Sequence, residues 1–295
     1  MLYRFIKYYL NLKRITYLLL FSLFFVNSLN PQTKDYRLLF SANLLQNQKL
    51  EDAVATTKIL AKNLEKKIKL DEKILVTVCS TLKELADSMK KPFDFVLATS
   101  VETQILKKKF NLEPVIVNET GGTIGFIFYL VVNTSQPIND LKSLKNRDIN
   151  ILTKSEFHTA SIWLDKLLRD DKLPVKEKFF SSVTFDYKAT NVVLPVFFNK
   201  CSAAIISKTA FDLLCEPNTQ LKKTLKIIKQ SDPIIFGLIS FDGRNDDKSR
   251  KEFIYNILLD LHKENYGKQL LDLFLVDKLV PFKDEYWQDF LKLYK

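Results

Sequence analysis

Glycine is scarce in this chain, which contains 6 glycines among 295 residues. A phosphate-binding loop needs glycines at fixed spacing, because backbone amides must approach the phosphate closely. Three of the six glycines fall in one stretch, Gly121-Gly122-Thr123-Ile124-Gly125, which has neither that spacing nor a following lysine. A nucleotide site built on a glycine-rich loop is therefore disfavoured. The stretch predicts a hinge, the floor of a cleft or a tight turn.

Histidine and cysteine are also rare, with two histidines and three cysteines. The sequence contains no H-E-x-x-H, no G-x-S-x-G and no C-x-x-C, so zinc, serine-nucleophile and dithiol chemistry are disfavoured. An odd number of cysteines leaves at least one unpaired, and we interpret Cys79, Cys201 and Cys215 as buried apolar residues. His158 could act as a base, but a single histidine at a helix start more often caps the helix. We therefore expect no enzyme activity, no metal and no cofactor.

The first thirty residues contain no acid. Arg4, Lys7, Lys13 and Arg14 precede the apolar run Ile15–Val26, the order of a secretory signal. We interpret residues 1–30 as a signal peptide, with an uncleaved membrane anchor or a buried helix as alternatives, and expect a periplasmic or other extracytoplasmic location. Subtracting these four residues from the 45 lysines and arginines leaves 41 against 34 acidic residues, a net charge of +7. This charge is too diffuse to indicate nucleic-acid binding.

From residue 36 onward, short apolar runs alternate with helical patterns, which predicts an α/β fold with mostly parallel sheets covered by helices. In the first half we predict strands at Tyr36–Ala42, Ile74–Ser80, Phe93–Thr99 and Pro114–Val117, and helices at Glu51–Leu64, Leu82–Met89 and Val101–Lys109. In the second half we predict strands at Ile124–Val132, Ile149–Thr153, Lys178–Phe185, Ser202–Ser207 and Pro233–Phe241, and helices at Ala160–Arg169, Ala189–Phe198, Thr209–Leu214 and Gln220–Lys229. The tail is predicted to be helical at Lys248–Lys263, Lys268–Phe274 and Glu285–Tyr294.

No long polar linker divides the sequence, so two independent domains in series are not expected. We predict two lobes, with residues 31–122 and 233–295 in the first and residues 123–232 in the second. The chain would cross out near 118–125 and return near 229–236. Two crossings of this kind form a hinge.

Three predicted strand-to-helix junctions carry polar side chains. Residues 153–161 surround a helix start with hydroxyls at Ser155, Thr159 and Ser161. The first amides of a helix have no partner within the helix, so this junction could bind an oxyanion. Ordinary capping by Ser155 or Thr159 is the alternative interpretation.

At the second junction, residues 184–191, Lys188 could pair with an anion, and Asp186 could bind a cationic group or hold Lys188. The alternative is a surface ion pair, which contributes little. The third junction is Thr99-Ser100. Because the carboxyl ends of parallel strands meet at one edge of a sheet, we expect the junctions to converge on one crevice.

At these residues the chain resembles the phosphate, phosphite and phosphonate substrate-binding proteins of ABC-type uptake systems, whose fold is the two-lobed periplasmic-binding-protein type. The resemblance covers about residues 36 to 290 and is most specific from Ile149 to Ser207. It implies two lobes, a hinge, no catalysis and closure on an oxyanion. It also implies the following ligand-facing residues: Thr99, Ser100, Ser155, His158, Thr159, Asp186, Tyr187, Lys188 and Thr190.

The resemblance has departures. The family's small Ser-Thr-Ser-Gly helix start is here Ser155-Glu156-Phe157-His158-Thr159, which carries an acid.

The resemblance implies a monomer whose partners are a small oxyanion and a membrane permease. A membrane-tethered sensor or interaction module with the same fold is the alternative function. An enzyme on this scaffold would have only His158, Glu156 and Lys188 as titratable groups.

Overall fold

The computed structural model describes residues 35–45, 50–68, 72–153 and 158–295. The predicted N-terminal signal and Ser155 lie outside the described residues. Within the described ranges, no helix is both long and apolar enough to cross a bilayer.

The first sheet contains seven strands in the order β12-β4-β11-β3-β1-β2, with β5 paired to β4. Its strands are β1 (Tyr36–Ser41), β2 (Ile74–Cys79), β3 (Phe95–Thr99), β4 (Leu112–Thr120), β5 (Thr123–Ile124), β11 (Gly237–Asp242) and β12 (Lys278–Pro281). β1 pairs in parallel with β2 and β3, whereas β11 is antiparallel to β3 and β4. The sheet is therefore built from both parts of the chain that flank the second sheet in sequence.

The second sheet has five strands in the order β10-β6-β9-β7-β8. These are β6 (Phe128–Asn133), β7 (Asp148–Leu152), β8 (Ser182–Asp186), β9 (Ala203–Ser207) and β10 (Leu225–Gln230). β7 is parallel to β8 and β9, and β6 is antiparallel to β9 and β10. All residues of β6 and β9 are buried, as expected for central strands covered on both faces.

Helices flank both sheets. They are α1 (Leu50–Ile68), α2 (Leu82–Ser88), α3 (Ser100–Leu106), α4 (Thr159–Asp170), α5 (Lys176–Phe179), α6 (Ala189–Phe197), α7 (Lys208–Cys215), α8 (Thr219–Thr224), α9 (Lys248–Asp260), α10 (Asn265–Leu273) and α11 (Asp284–Leu291). α4 buries one apolar stripe that includes Ala160, Trp163 and Leu164, as its helical spacing predicts.

The predicted α/β class with two sheets and flanking helices is confirmed, but both sheets are mixed, since the strands next to the crossings run antiparallel. The prediction of a single helix over Gln220–Lys229 is wrong: α8 ends at Thr224 and β10 follows. The predicted strand over Lys178–Phe185 begins as the short helix α5. β12 was not predicted.

One hydrophobic cluster connects the two sheets. It joins Val101 of α3 and Phe126 to Trp163 of α4, and it includes Phe290 of α11. Beyond α11, the carbonyl of Leu293 accepts a hydrogen bond from Arg169 at the end of α4. The C-terminal segment therefore packs against a helix of the second sheet. The three cysteines are buried, as predicted, and none of them forms a disulfide.

The two crossing segments are hydrogen-bonded to each other. Phe126 N–H donates to the carbonyl of Ile234 at 2.8 Å, and Ile234 N–H donates to the carbonyl of Phe126 at 2.9 Å. Gly125 has φ of +83°, and a Cβ placed there would lie 2.1 Å from the Ile234 carbonyl oxygen. Glycine is therefore required at this position by both the backbone conformation and the close approach of the second segment.

Candidate functional site

Two hydroxyl groups from helices of different sheets meet between the sheets. Ser100 is the first residue of α3 and Thr159 is the first residue of α4. Their hydroxyl oxygens lie 3.4 Å apart. Both residues are fully buried. Ser100 is held from its other side, because its Oγ donates to the Ile235 carbonyl at 2.7 Å and its N–H donates to the Phe236 carbonyl at 2.8 Å. Two of the three predicted junctions are thus brought into contact.

His158 caps α4 beside this contact. Its Nδ1 accepts a hydrogen bond from Ala160 N–H at 3.3 Å, so the capping interpretation of this residue describes the observed geometry. Its ring lies 4.6 Å from the ring of Phe236, which in turn stacks on Phe126 at 4.9 Å. Burial lowers the pKa of His158 from 6.5 to about 3. The imidazole is therefore neutral at physiological pH.

A buried carboxylate fixes the Thr99-Ser100 turn. Glu102 Oε1 accepts from Ser41 Oγ and Asn43 Nδ2, each at 2.8 Å. Glu102 Oε2 accepts from both the N–H and the hydroxyl of Thr99 at 3.0 Å. The Thr99 hydroxyl also accepts from the Glu102 N–H at 3.1 Å, which completes a capping box. The hydroxyl of Thr99 is therefore committed to its own helix, whereas that of Ser100 faces the second sheet.

Lys176 places a positive charge beneath the first turn of α4. Its Nζ donates to Ser161 Oγ and to Asp165 Oδ2, both at 3.0 Å. The Lys176 side chain is 10% exposed, and Ser161 is fully buried. A buried ammonium near a helix N-terminus adds to the positive end of the helix dipole. Because Asp165 pairs with this ammonium, the N-terminus of α4 remains the main source of positive potential beside Thr159.

The second junction, over residues 184–191, is organised by Asp186. Its carboxylate accepts from Lys188 N–H at 2.7 Å and from Asn191 Nδ2 at 3.0 Å, at the start of α6. Its carbonyl accepts from Thr153 N–H at 2.9 Å, which joins β8 to the chain entering α4. Asp186 and Tyr187 are half-buried, whereas Lys188 and Thr190 are exposed. The Lys188 ammonium lies 5.8 Å from the ring of Tyr187.

The sequence analysis did not identify Glu102, Lys176 or Phe236 as parts of this site. Glu102 had a recognisable signal, because Thr99-Ser100-Val101-Glu102 has the spacing of a capping box directly after a strand. Phe236 was assigned to a strand, and Lys176 stands in an ordinary charged stretch. Their positions depend on how the crossing segments and α5 pack.

Comparison with known proteins identifies a family. A sequence model for the periplasmic substrate-binding protein of ABC phosphonate transporters matches residues 44–287. No curated protein sequence matches the chain significantly.

Solved structures of similar fold exist. PhnD1 from Prochlorococcus marinus in complex with methylphosphonate is 14% identical, with a TM-score of 0.66 over 89% of this chain and 97% of that one. A binding-protein component of an ABC phosphonate transporter from Pseudomonas aeruginosa is 12% identical, with a TM-score of 0.65 over 88% and 85%. The periplasmic aliphatic sulphonate-binding protein of Escherichia coli is 12% identical, with a TM-score of 0.57 over 88% and 85%. At sequence identities this low, these structures show that the fold is similar and nothing more.

Proposed function

Because this chain belongs to the family of periplasmic substrate-binding proteins of ABC phosphonate transporters, we propose that it captures a small organic oxyanion of the phosphonate type and delivers it to a permease. Family membership makes it an extracytoplasmic solute-binding protein rather than an enzyme, with a small-molecule ligand and a membrane permease as partners. The identity of the ligand, the residues that bind it and the monomeric state are our proposals.

The contact between Ser100 and Thr159 is the observation that carries this proposal. Two hydroxyls that both donate to one oxygen stand roughly 4.5 Å apart, given hydrogen bonds of about 2.7 Å. The observed separation is 3.4 Å. We take the present arrangement as the shut form without ligand, which a bound oxyanion would widen by about 1 Å at this contact. The ligand takes the place of the direct contact: Thr159 donates to it, and Ser100 donates to it by turning its hydroxyl away from the Ile235 carbonyl.

In this proposal two lobes close on the ligand. The first lobe consists of residues 31–122 and 233–295, and the second consists of residues 123–232. The ligand contacts both lobes only when they are close, so binding shifts the equilibrium toward the shut form. The paired crossing segments at Phe126 and Ile234 form the hinge between them.

The predicted ligand-facing residues have different roles in this proposal: some bind the ligand, and others hold the backbone that positions them. Thr159 donates to the oxyanion, and Ser100 donates to it by releasing its hydrogen bond to the Ile235 carbonyl. Lys176, which is paired with Asp165, holds Ser161 at the first turn of α4. His158 is neutral and packs beside the ligand. Tyr187, Lys188 and Thr190 border the entrance from the second lobe, and Asp186 holds the turn that positions them. Thr99 shapes its own turn through Glu102.

A thermal-shift panel tests this function. The panel contains phosphate, phosphite, methylphosphonate, aminoethylphosphonate and methanesulfonate. A ligand present at 100 times its dissociation constant stabilises the folded state by about 2.7 kcal/mol, which corresponds to a rise in Tm of roughly 5–10 °C for a chain of this size.

The matched variants are Thr159→Val and Thr103→Val. Thr103 is also fully buried on α3, but its hydroxyl has no hydrogen-bond partner among the described residues. Thr159→Val removes a hydrogen bond to a charged group, worth about 1.5–3 kcal/mol, or a 10- to 150-fold loss of affinity. Thr103→Val should bind like the native protein. The proposal is contradicted if no compound of the panel raises the Tm of the native protein. It is also contradicted if Thr159→Val and Thr103→Val bind the ligand with equal affinity.

A further inference from the structure

The last helix of the chain bridges the two proposed lobes. α11 (Asp284–Leu291) and the turn Lys292–Tyr294 that follows it form a segment that we call the C-terminal clasp. The chain enters the clasp from the first sheet, since β12 pairs with β4 and Phe282 N–H donates to the Val115 carbonyl at 2.9 Å. By its place in the chain, the clasp therefore belongs to the first lobe.

One end of the clasp packs on α3 of the first lobe. The Lys107 ammonium, just beyond the last residue of α3, lies 4.8 Å from the centre of the Trp287 ring. An ammonium above an indole ring is attracted by the electrons of the ring. Trp287 is buried and packs on Phe290, with 5.1 Å between the ring centres. Because Trp287 follows β12 closely in the chain, this end of the clasp stays with the first lobe when the lobes separate.

The other end of the clasp packs on α4 of the second lobe. The Arg169 guanidinium donates to the Leu293 carbonyl, and the turn Lys292–Tyr294 contacts α4. Phe290 and Leu293 are buried in the same hydrophobic cluster as Trp163 of α4. Separating α4 from the clasp would expose apolar surface to water, which is unfavourable. The second lobe is therefore held by contacts that an opening rotation would break.

A groove of about 700 Å³ lies beside this second contact, between the clasp, α4 and the return crossing. Trp163, Lys166 and Leu293 are among the residues that line it. The packing between the clasp and α4 is thus discontinuous. A rotation of the second lobe can break the contact at Leu293 without disrupting a continuous core.

The clasp gives α3 and α4 a second connection. The two helices meet directly where they begin, at Ser100 and Thr159, and the clasp connects them where they end, at Lys107 and Arg169. We propose that the clasp stabilises the shut form, because its contact with α4 forms when the lobes close and breaks when they open. This inference rests on the lobe closure of the proposed function and names the element that sets its equilibrium before a ligand binds.

Two spectroscopic measurements follow the clasp and the lobes separately. The two tryptophans of the chain, Trp163 and Trp287, both belong to the cluster at the clasp, so quenching of their fluorescence by acrylamide reports its release. The separation of the lobes is measured as the distance distribution between spin labels on Lys91→Cys and Lys145→Cys, one exposed position in each lobe. The three native cysteines are buried, so the label reacts at the introduced ones.

Two substitutions weaken the clasp, and two matched substitutions leave it intact. Arg169→Ala removes the hydrogen bond to Leu293 and should raise the ratio of open to shut molecules by roughly 2- to 12-fold. Leu293→Ala removes apolar contact, and the double variant should open further. Lys166→Ala is the control on α4, because its ammonium pairs with Asp170 of the same helix. Leu271→Ala truncates an equally buried leucine in another cluster of the first lobe. Both controls should keep the native distance distribution, even where they lower Tm.

The inference is overturned if the ligand-free double variant has the native distance distribution. It is also overturned if tryptophan quenching rises while the lobes stay together, because the clasp would then detach without having held them. The distances are measured again with the panel compound that raises Tm most. Since only the shut form binds, the apparent affinity should fall with the shut fraction.

The two proposals fail in different ways. If the ligand shortens the distance and the clasp variants do not lengthen it, the proposed function stands and the inference about the clasp is wrong. A distance that responds to neither contradicts the proposed closure as well. If no compound of the panel binds, the proposed function fails, and the ligand-free comparison still decides the role of the clasp.

Discussion

Removing the buried carboxylate of Glu102 should lower the free energy of unfolding more than removing an exposed carboxylate from the protein surface. Glu102 is 3% exposed and accepts four hydrogen bonds. In Glu102→Ala, Asn43 can rehydrate because it is half-buried, but three donors on Ser41 and Thr99 stay buried without an acceptor. At about 1–1.5 kcal/mol for each of the three unsatisfied donors, the free energy of unfolding should fall by roughly 3–4.5 kcal/mol. Glu102→Gln keeps one accepting oxygen and should lose about half as much.

Urea unfolding followed by far-UV circular dichroism measures this difference. The control is Glu113→Ala, which removes a carboxylate that is 46% exposed and paired with Lys251 at 2.7 Å; such a pair is worth less than about 1 kcal/mol. Because Glu102 also orients the Thr99-Ser100 turn, Glu102→Gln should weaken oxyanion binding, and Glu113→Ala should not. Equal losses of stability in Glu102→Ala and Glu113→Ala would refute the reasoning.

Two further predictions concern His158 and the crossing segments. Burial lowers the pKa of His158 from 6.5 to about 3, so between these pH values the unfolded chain binds a proton that the folded chain does not, and the stability of the fold decreases as the pH falls below 6.5. Between pH 7 and pH 4 the native protein should lose about 3 kcal/mol more stability than His158→Asn, which keeps a capping acceptor. Equal shifts of the urea midpoint in the two proteins would contradict this prediction. Gly125→Ala should lower Tm much more than Gly122→Ala, because both glycines have positive φ but only Gly125 has a carbonyl within 2.1 Å of the added Cβ; similar Tm values would show that the crossing segments are not tightly paired.

Much of the fold follows from local patterns. The stripe of α4 and the compact apolar runs of β1 and β9 have clear periods, and the structure places these elements within a residue or two of the predicted bounds. The segment over residues 220–230 was misjudged because Leu221 and Leu225 have helical spacing. Leu225–Gln230 instead forms an edge strand beside β6. Pairing between distant strands decides such cases.

The candidate site was predicted less completely. Hydroxyls at strand-to-helix junctions pointed to Ser100 and Thr159, which do meet. Nothing local marks Phe236, because its position beside Ser100 arises from the return crossing. The roles of the nine predicted ligand-facing residues stay predictions.

The pairing of the crossing segments constrains how the molecule moves. Because Phe126 and Ile234 exchange both backbone hydrogen bonds, the closure proposed above is a rotation of the lobes about an axis close to that pair, and not a sliding of one crossing segment past the other. Under rotation, travel grows with distance from the pivot. In that closure, the hydroxyls of Ser100 and Thr159 separate less than groups farther from Phe126 and Ile234.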